Sequence, residues 1–594
     1  EMAKKGGDKI SKLVCYSTGS RGEMPGRFET VDQSRENLKK KGLEVMANNI
    51  AKTWFIKEED AKYFDICIEA GKQSSMESAD NALIACKNWN GVDTLKNIKN
   101  ETLIVWELVK LNNDSTTSCI ACFKVIKNLN RLNKGDALNK HGGIFQKVSM
   151  SRSGGTNIPN SLQEHWMPFT SNRDFKDNPR LITEAKGIYL KDHHGRTHID
   201  ASSGLFCNPL GHGRKEIINA VTNQLEQLDY VQPFQQGFGG SFELAAKIAK
   251  HTPGDLNRIF YTICGSSAVE SAIKIVIAYH RAKGQGQRFR FVGRERAYHG
   301  MNIGATSVGG MVNNVKTFAS ILMPGVVHMR HTHLPEHKFV KGQPETGAEL
   351  ANDLERIATN YGAENIAACI VEPTAGSTGT LVPPKGYLKR LREICDKHGI
   401  ILIFDEVITG WGRMGSAFAA QEFGVTPDVI TMAKATTNGV VPMGVVAVKE
   451  EIYDAVMDAS PKGAVELFHG YTYSGIPIAV AAALAVQDIF EKEDIFKRAK
   501  ELSPYFLDSL FSLKDLDCIE NIRGYGMMGG IDMKLKEKPG KAGFACFKAC
   551  YEAGVNFKAT GDCLILAPAF VCEKKHIDEI FEKLRNGIKS YMKQ

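Results

Sequence analysis

A chain of 594 residues with 43% hydrophobic residues and a net charge of +8 is long enough for more than one core and ordinary in composition for a globular protein. Its densest basic run, Lys39 to Lys41, reads as a solvated helix face without interleaved aromatics, which excludes a nucleic-acid stripe. Fourteen cysteines without framework spacing and a lone CxxC at Cys119 and Cys122 argue for a reducing, cytoplasmic setting without a metal cluster; no leader is visible at the start, and the longest apolar stretch, 477–486, is too short for a bilayer.

In chain order, the apolar stretch Lys12–Tyr16 is followed by a loop over 17–26, mixed-charge helical patterns and a strand-like run over 102–106. Residues 1–118 form this first part. Residues 119–161, rich in Asn, Lys, Gly and Ser, read as a linker. From 162 to 594, short apolar strands alternate with amphipathic helices, which predicts an α/β domain with a mostly parallel sheet. Residues 259–262, 367–371, 400–404 and 429–432 are predicted strands, and 268–281 and 386–398 are predicted helices. Each strand is short, apolar and rich in β-branched residues, as strands covered on both faces are.

Ligands of open α/β sheets bind beyond the carboxyl ends of the strands. The residues just after three of these strands are Glu372, Asp405 and Lys434. A carboxylate directly after a buried strand is costly without a partner, and Asp405 could be a helix cap, a core ion pair or the partner of a cationic ring nitrogen. Lys434 lies between small residues, so a surface lysine is a poor reading; a desolvated lysine forms Schiff bases with carbonyls. An acid and a lysine so placed are what pyridoxal phosphate needs, the first to keep the ring nitrogen protonated and the second to hold the aldehyde and move a proton. A phosphate site should accompany them. Gly265 and Ser266 lie just before a helix whose start is predicted from the S-x-x-E capping box Ser267–Glu270, and a helix N-terminus cradles phosphate. Tyr298, in the run AYHG, is either a core residue or an aromatic stacked on a flat cofactor.

The segments HWMPFT (165–170), GHGRKEI (211–217), VEPTAGSTGTLVPPKGYL (371–388), LIFDEVITGWGRMG (402–415), AKATTNGVVPMG (433–444) and HGYTYSG (469–475) resemble the class III pyridoxal-phosphate-dependent aminotransferases of fold type I. Their ω-amino acid–pyruvate, or β-alanine–pyruvate, branch is the nearest. The resemblance implies a large cofactor domain over about 215–475 and a smaller α+β domain built from 162–214 and 476–594. It implies that Lys434 is the Schiff-base lysine, that Asp405 faces the pyridine nitrogen, and that Val407 and Tyr298 pack below and above the ring. Gly265 and Ser266 match the phosphate loop, Glu372 lies near the cofactor as a candidate partner of the substrate-binding cation, and Thr472 matches a phosphate ligand supplied by a neighbouring subunit. A homodimer or tetramer with shared sites is therefore expected. Substrate-side positions are Phe206, Phe234, Tyr298 and Lys558. The implied reaction is ping-pong transamination from an ω-amino acid or amine to pyruvate, without a metal and without nucleic-acid or membrane partners; a taurine- or γ-aminobutyrate-type transaminase is the alternative.

Four positions depart from that pattern: Cys264 and Ser267 stand for serine and glutamate around the phosphate loop, Phe206 for a tryptophan, and Lys558 for the arginine that clamps the substrate carboxylate. Lysine keeps the charge and loses the bidentate fork. Separately, KLVCYSTGSRGEMPGRFE at 12–29 and TLIVWEL at 102–108 resemble the back half of an α/β-hydrolase. A G-x-S-x-G nucleophile elbow would lie upstream of Glu1, and His141 falls in linker-like sequence, so residues 9–108 read as a truncated hydrolase fragment without catalytic competence, and a serine-hydrolase activity is the less favoured alternative.

Overall fold

The computed structural model describes residues 12–16, 31–54, 101–107, 121–126, 158–534 and 539–593. The chain divides into two units, residues 1–146 and 147–594. In the first, strands β1 (Lys12–Tyr16) and β2 (Glu101–Glu107) pair in parallel, and β3 (Ala121–Ile126) adds antiparallel to β2. A helix spans Val31–Trp54 with a break at Gly42, whose φ of 80° leaves the helical region. The loop over 17–26, Cys119 and His141 lie outside the described residues.

The second unit opens with β4 (Ile182–Lys186), β5 (Tyr189–Asp192) and β6 (Thr197–Asp200), an antiparallel meander. Its central sheet comprises β7 (Arg258–Thr262), β8 (Arg290–Arg294), β9 (Val327–Met329), β10 (Ile366–Val371), β11 (Ile401–Asp405), β12 (Val429–Met432) and β13 (Gly444–Val448), in the order β7-β13-β12-β11-β10-β8-β9. Neighbours pair in parallel except that β13 runs antiparallel to both β12 and β7. β7 therefore points the same way as β10, β11 and β12. Every residue of β10, β11, β12 and β13 is buried, which is why these segments read as unbroken apolar runs instead of alternating ones.

The chain then forms β14 (Ile519–Tyr525), β15 (Met528–Met533), β16 (Val555–Asn556), β17 (Lys558–Thr560) and β18 (Cys563–Leu566). Four of these make an antiparallel sheet, β14-β15-β18-β17, whereas β16 joins the first meander in parallel with β6. Hydrogen bonds from Ile199 N to the Gly554 carbonyl (2.9 Å) and from Ala201 N to the Asn556 carbonyl (2.8 Å) secure that join. The two ends of this unit thus meet beside the central sheet, a mostly parallel α/β layer with an α+β appendage. Among the described residues, no helix is long and apolar enough to cross a membrane, and no group of three or more metal-ligating side chains occurs.

Candidate active site

Because β7, β10, β11 and β12 run one way, their carboxyl ends share one edge of the sheet, and the residues that follow them converge there. Glu372 directly follows β10, Asp405 is the last residue of β11, and Lys434 lies two residues past β12. With Gly265, Ser266, Tyr298 and Val407 they line a single cavity of 320 Å³. Lys434 opens a short 3₁₀ turn, Lys434–Thr437, with φ of 46°. A left-handed lysine is uncommon, and such backbone strain concentrates at functional sites.

Asp405 is 4% exposed. Its Oδ1 accepts from Val407 N (3.1 Å) and from the Thr431 hydroxyl (3.2 Å), and its Oδ2 lies 2.7 Å from His299 Nδ1. The His299 ring is buried, and its Nε2 has no partner among the described residues. Sequence reasoning passed over His299, although it adjoins Tyr298 in the same run. Glu372 does not meet a side-chain cation; its two carboxylate oxygens accept from Tyr298 N and Gly376 N, each at 2.9 Å. Burial pushes its carboxyl above the usual range. Tyr298 is likewise raised by burial, and its ring meets Phe169 edge-on at 6.5 Å.

The expected helix beside the phosphate loop starts earlier than the S-x-x-E pattern implies. It spans Gly265–Ala282, with Cys264 as its cap. Ser267 sits in the first turn and accepts from Cys264 N (2.9 Å) and Ile263 N (3.1 Å), whereas Glu270 turns away and accepts from Ala305 N (3.3 Å). The serine hydroxyl reaches back to the cap residue and leaves the amides of Gly265 and Ser266 at the helix mouth. A side chain at Gly265 would meet Val407 at 2.9 Å, so the helix mouth and Val407 close together only around a glycine. Ser266 Oγ accepts from Met301 N at 3.1 Å.

Phe206 is 2% exposed, and its ring centre lies 5.9 Å from Lys434 Nζ. Lys558 lies on β17; burial and, after it, the charge of Lys434 push its ammonium below the usual lysine value. Phe234 is half exposed and packs at Gly470, and the Thr472 carbonyl accepts from the Tyr230 hydroxyl at 3.1 Å. In the single chain none of Phe206, Phe234, Thr472 and Lys558 is among the residues lining the cavity. Cys207, Thr437 and Gly439 do line it and were not anticipated.

The cavity offers amides of an 18-residue helix for an anion, a buried carboxylate for a cation, a lysine for a carbonyl, and an aromatic and a branched side chain for a flat ring. That set of groups fits pyridoxal phosphate. The unpartnered His299 Nε2 adds a polar atom with hydrogen-bonding capacity to spare.

Residues 170–588 match the family model for class III aminotransferases. The chain is 48% identical to the omega-aminotransferase of Caulobacter vibrioides, over 72% of this chain and 97% of that one. It is 45% identical to the beta-alanine–pyruvate aminotransferase of Pseudomonas aeruginosa, over 72% and 96%. Similar solved structures include an omega transaminase of Pseudomonas jessenii in complex with PMP, with a TM-score of 0.69 and 28% identity over 72% of this chain and 96% of that one. Another is an (S)-enantioselective omega-transaminase of Thermomicrobium roseum, with a TM-score of 0.68 and 32% identity over 72% and 96%. The family match begins well after residues 9–108, so the hydrolase resemblance of that segment gains no support from it. With the family model spanning most of its length and the fold type I layer intact, the chain belongs to the class III aminotransferases, which are pyridoxal-phosphate-dependent enzymes.

Proposed function

We propose that this enzyme moves an amino group from a β-alanine-like ω-amino acid or amine to pyruvate in two half-reactions that use the same residues in turn. The observation that carries the reading is the convergence of Lys434, Asp405 and a glycine-started helix on one cavity, in a chain whose relatives are named for omega-amino compounds and for β-alanine with pyruvate.

Pyridoxal phosphate, when bound, supplies an aldehyde that condenses with amines and a ring that accepts the electron pair left when a Cα proton departs. Lys434 Nζ would hold the aldehyde of the bound cofactor and, as a free amine, would take the donor's Cα proton and redeliver it. Asp405 keeps the ring nitrogen protonated, and His299 fixes the Asp405 carboxylate through Nδ1. The amides at Gly265 and Ser266 hold the phosphate, Tyr298 and Val407 bracket the ring, and Glu372 braces the backbone of Tyr298. Phe206, Phe234 and Tyr298 shape the substrate side. The cofactor domain of this reading runs over about 215–475, with 162–214 and 476–594 forming the small domain. Free thiols at Cys207, Cys264 and Cys369 fit a cytoplasmic location.

Lys558 holds the donor carboxylate as a point charge, without an arginine's fork. A panel of amine donors with pyruvate or 2-oxoglutarate as acceptor tests this directly. Pyruvate with β-alanine-like donors is the expected pairing, and Lys558→Arg should lower KM for carboxylate-bearing donors by about three- to tenfold. Donors without a carboxylate should change little. A strong preference for 2-oxoglutarate, or equal shifts for both donor types, would contradict the assignment.

Thr472 serves the phosphate of the neighbouring subunit in a homodimer. The exposed apolar side chains near it, Phe468 (88%), Tyr473 (57%) and Phe234 (52%), form a surface that a second copy would cover. Sedimentation should give a dimer, and Thr472→Val should weaken cofactor retention about tenfold without changing the sedimentation coefficient. A monomer that turns over at the full rate would rule out shared sites.

A further inference from the structure

Cys207 lines the cavity, and the segment that leads into it, Ser203–Phe206, is held in an unusual backbone. Ser203, Gly204 and Phe206 have φ of 48°, 65° and 62°. Only the glycine adopts that region freely. Asp200 ties the front of this turn, accepting from Ser202 N (3.1 Å) and Gly204 N (2.6 Å), and the Ser203 hydroxyl donates to the Ala567 carbonyl (2.6 Å). The back of the turn is tied by a residue of the Lys434 segment. Asn438 is 1% exposed, with Oδ1 accepting from Leu210 N (3.0 Å) and Nδ2 donating to the Gly211 carbonyl (2.9 Å). The Asn438 carbonyl accepts from Asn208 Nδ2 at 2.7 Å. A side chain at the next residue, Gly439, would meet Cys207 Cβ at 2.9 Å, so the two segments touch at the backbone. The Lys434 carbonyl itself accepts from Gly439 N at 3.2 Å, which makes the lysine turn and the clamp one rigid piece.

We infer that Asn438 is a positioning residue: by clamping residues 208–211 to the Lys434 turn it holds the left-handed segment Ser203–Phe206, and with it the cavity residue Cys207, in place beside the lysine, and so sets the size of amine the site accepts. Asn438 can do this because asparagine tolerates its own left-handed φ of 51° while both ends of its amide are spent across the gap. The size-selection half of this inference rests on the transaminase reading; the clamp itself does not.

Two variants and two readouts decide it. Asn438→Gly keeps the left-handed backbone and removes both side-chain bonds; Asn208→Ala removes the third bond from the other side. In the cofactor-free protein, alkylation of Cys207 by N-ethylmaleimide, followed by peptide mass, should become about tenfold faster in Asn438→Gly and a few-fold faster in Asn208→Ala, as expected for a local opening. Cys369, buried within β10, is the internal control and should not change. In the holoenzyme, the ratio of kcat/KM for a bulky aromatic amine to that for a small one should rise about tenfold. If Asn438→Gly does not fold, Asn208→Ala carries the same two measurements. Unchanged Cys207 reactivity, or Cys207 and Cys369 accelerating together, would overturn the clamp, and an equal loss of activity on both amines would overturn its role in selection. Absence of transamination in the unaltered enzyme would sink the proposed function, while the thiol measurement would still decide the clamp.

Discussion

Lys434→Ala is expected to abolish transamination and to remove the visible absorbance of the lysine-bound cofactor. The expectation follows from position. Lys434 begins a strained turn two residues past β12, at the sheet edge where Asp405 and the Gly265 helix also end. Lys558, by contrast, sits on β17 in the second sheet and is not among the residues lining the cavity. Loss of the proton carrier alone costs about 10²–10⁴ in rate, and loss of the covalent attachment adds to it. The fold should survive, because Lys434 makes no side-chain ion pair among the described residues and the turn is held through its backbone by the Gly439 amide and by Thr436. A variant that keeps the absorbance band, read alongside a normal melting curve, would assign the attachment to another residue.

The second large effect is expected at Asp405. Removing one partner of a buried charged pair leaves the other unpaired, at about 3–5 kcal/mol, or roughly two to four orders of magnitude in turnover if the lost pairing is felt in the rate-limiting step. Asp405→Ala also strands the Val407 amide, the Thr431 hydroxyl and His299 Nδ1, so a packing defect could mimic the result. Asp405→Asn separates the two causes. It keeps an acceptor for Val407 N and nearly the same volume but removes the charge. If charge is what matters, Asp405→Asn should fall almost as far as Asp405→Ala in kcat while melting near the unaltered protein. Near-normal turnover in Asp405→Asn would show that the residue serves packing.

Strands were the most legible elements. The run 429–432 is β12 residue for residue, and 367–371 and 400–404 differ from β10 and β11 only at their ends. Burial on both faces leaves a sequence no choice but continuous apolar residues, and a parallel sheet then sends the following residues to one edge. That is why Glu372, Asp405 and Lys434 could be picked out together.

The missed features depend on contacts between distant segments. His299 is 106 residues from Asp405, and nothing in its own neighbourhood marks it as a partner. Asn438 reaches back more than two hundred residues to Leu210 and Gly211. The helix start shifted from Ser267 to Gly265 because the serine serves the cap residue's amide from inside the first turn, an arrangement with the same local spelling as an N-cap. Glu406 was hidden by its neighbour. It is fully buried, accepts from Ala419 N (2.6 Å), Ala420 N (2.9 Å) and the Thr409 hydroxyl (3.0 Å), and burial lifts its carboxyl to about 7. It caps a helix behind the site, so of two adjacent acids only Asp405 lines the cavity.

Borohydride reduction of the holoenzyme, followed by peptide mapping, tests the central claim most directly, because it fixes the cofactor to whichever lysine holds it. The reduced cofactor mass should appear on Lys434, in the segment that follows β12, and on no other peptide. Its appearance on Lys558 or any other lysine, or recovery of an unmodified Lys434 peptide from fully reduced enzyme, would contradict the assignment.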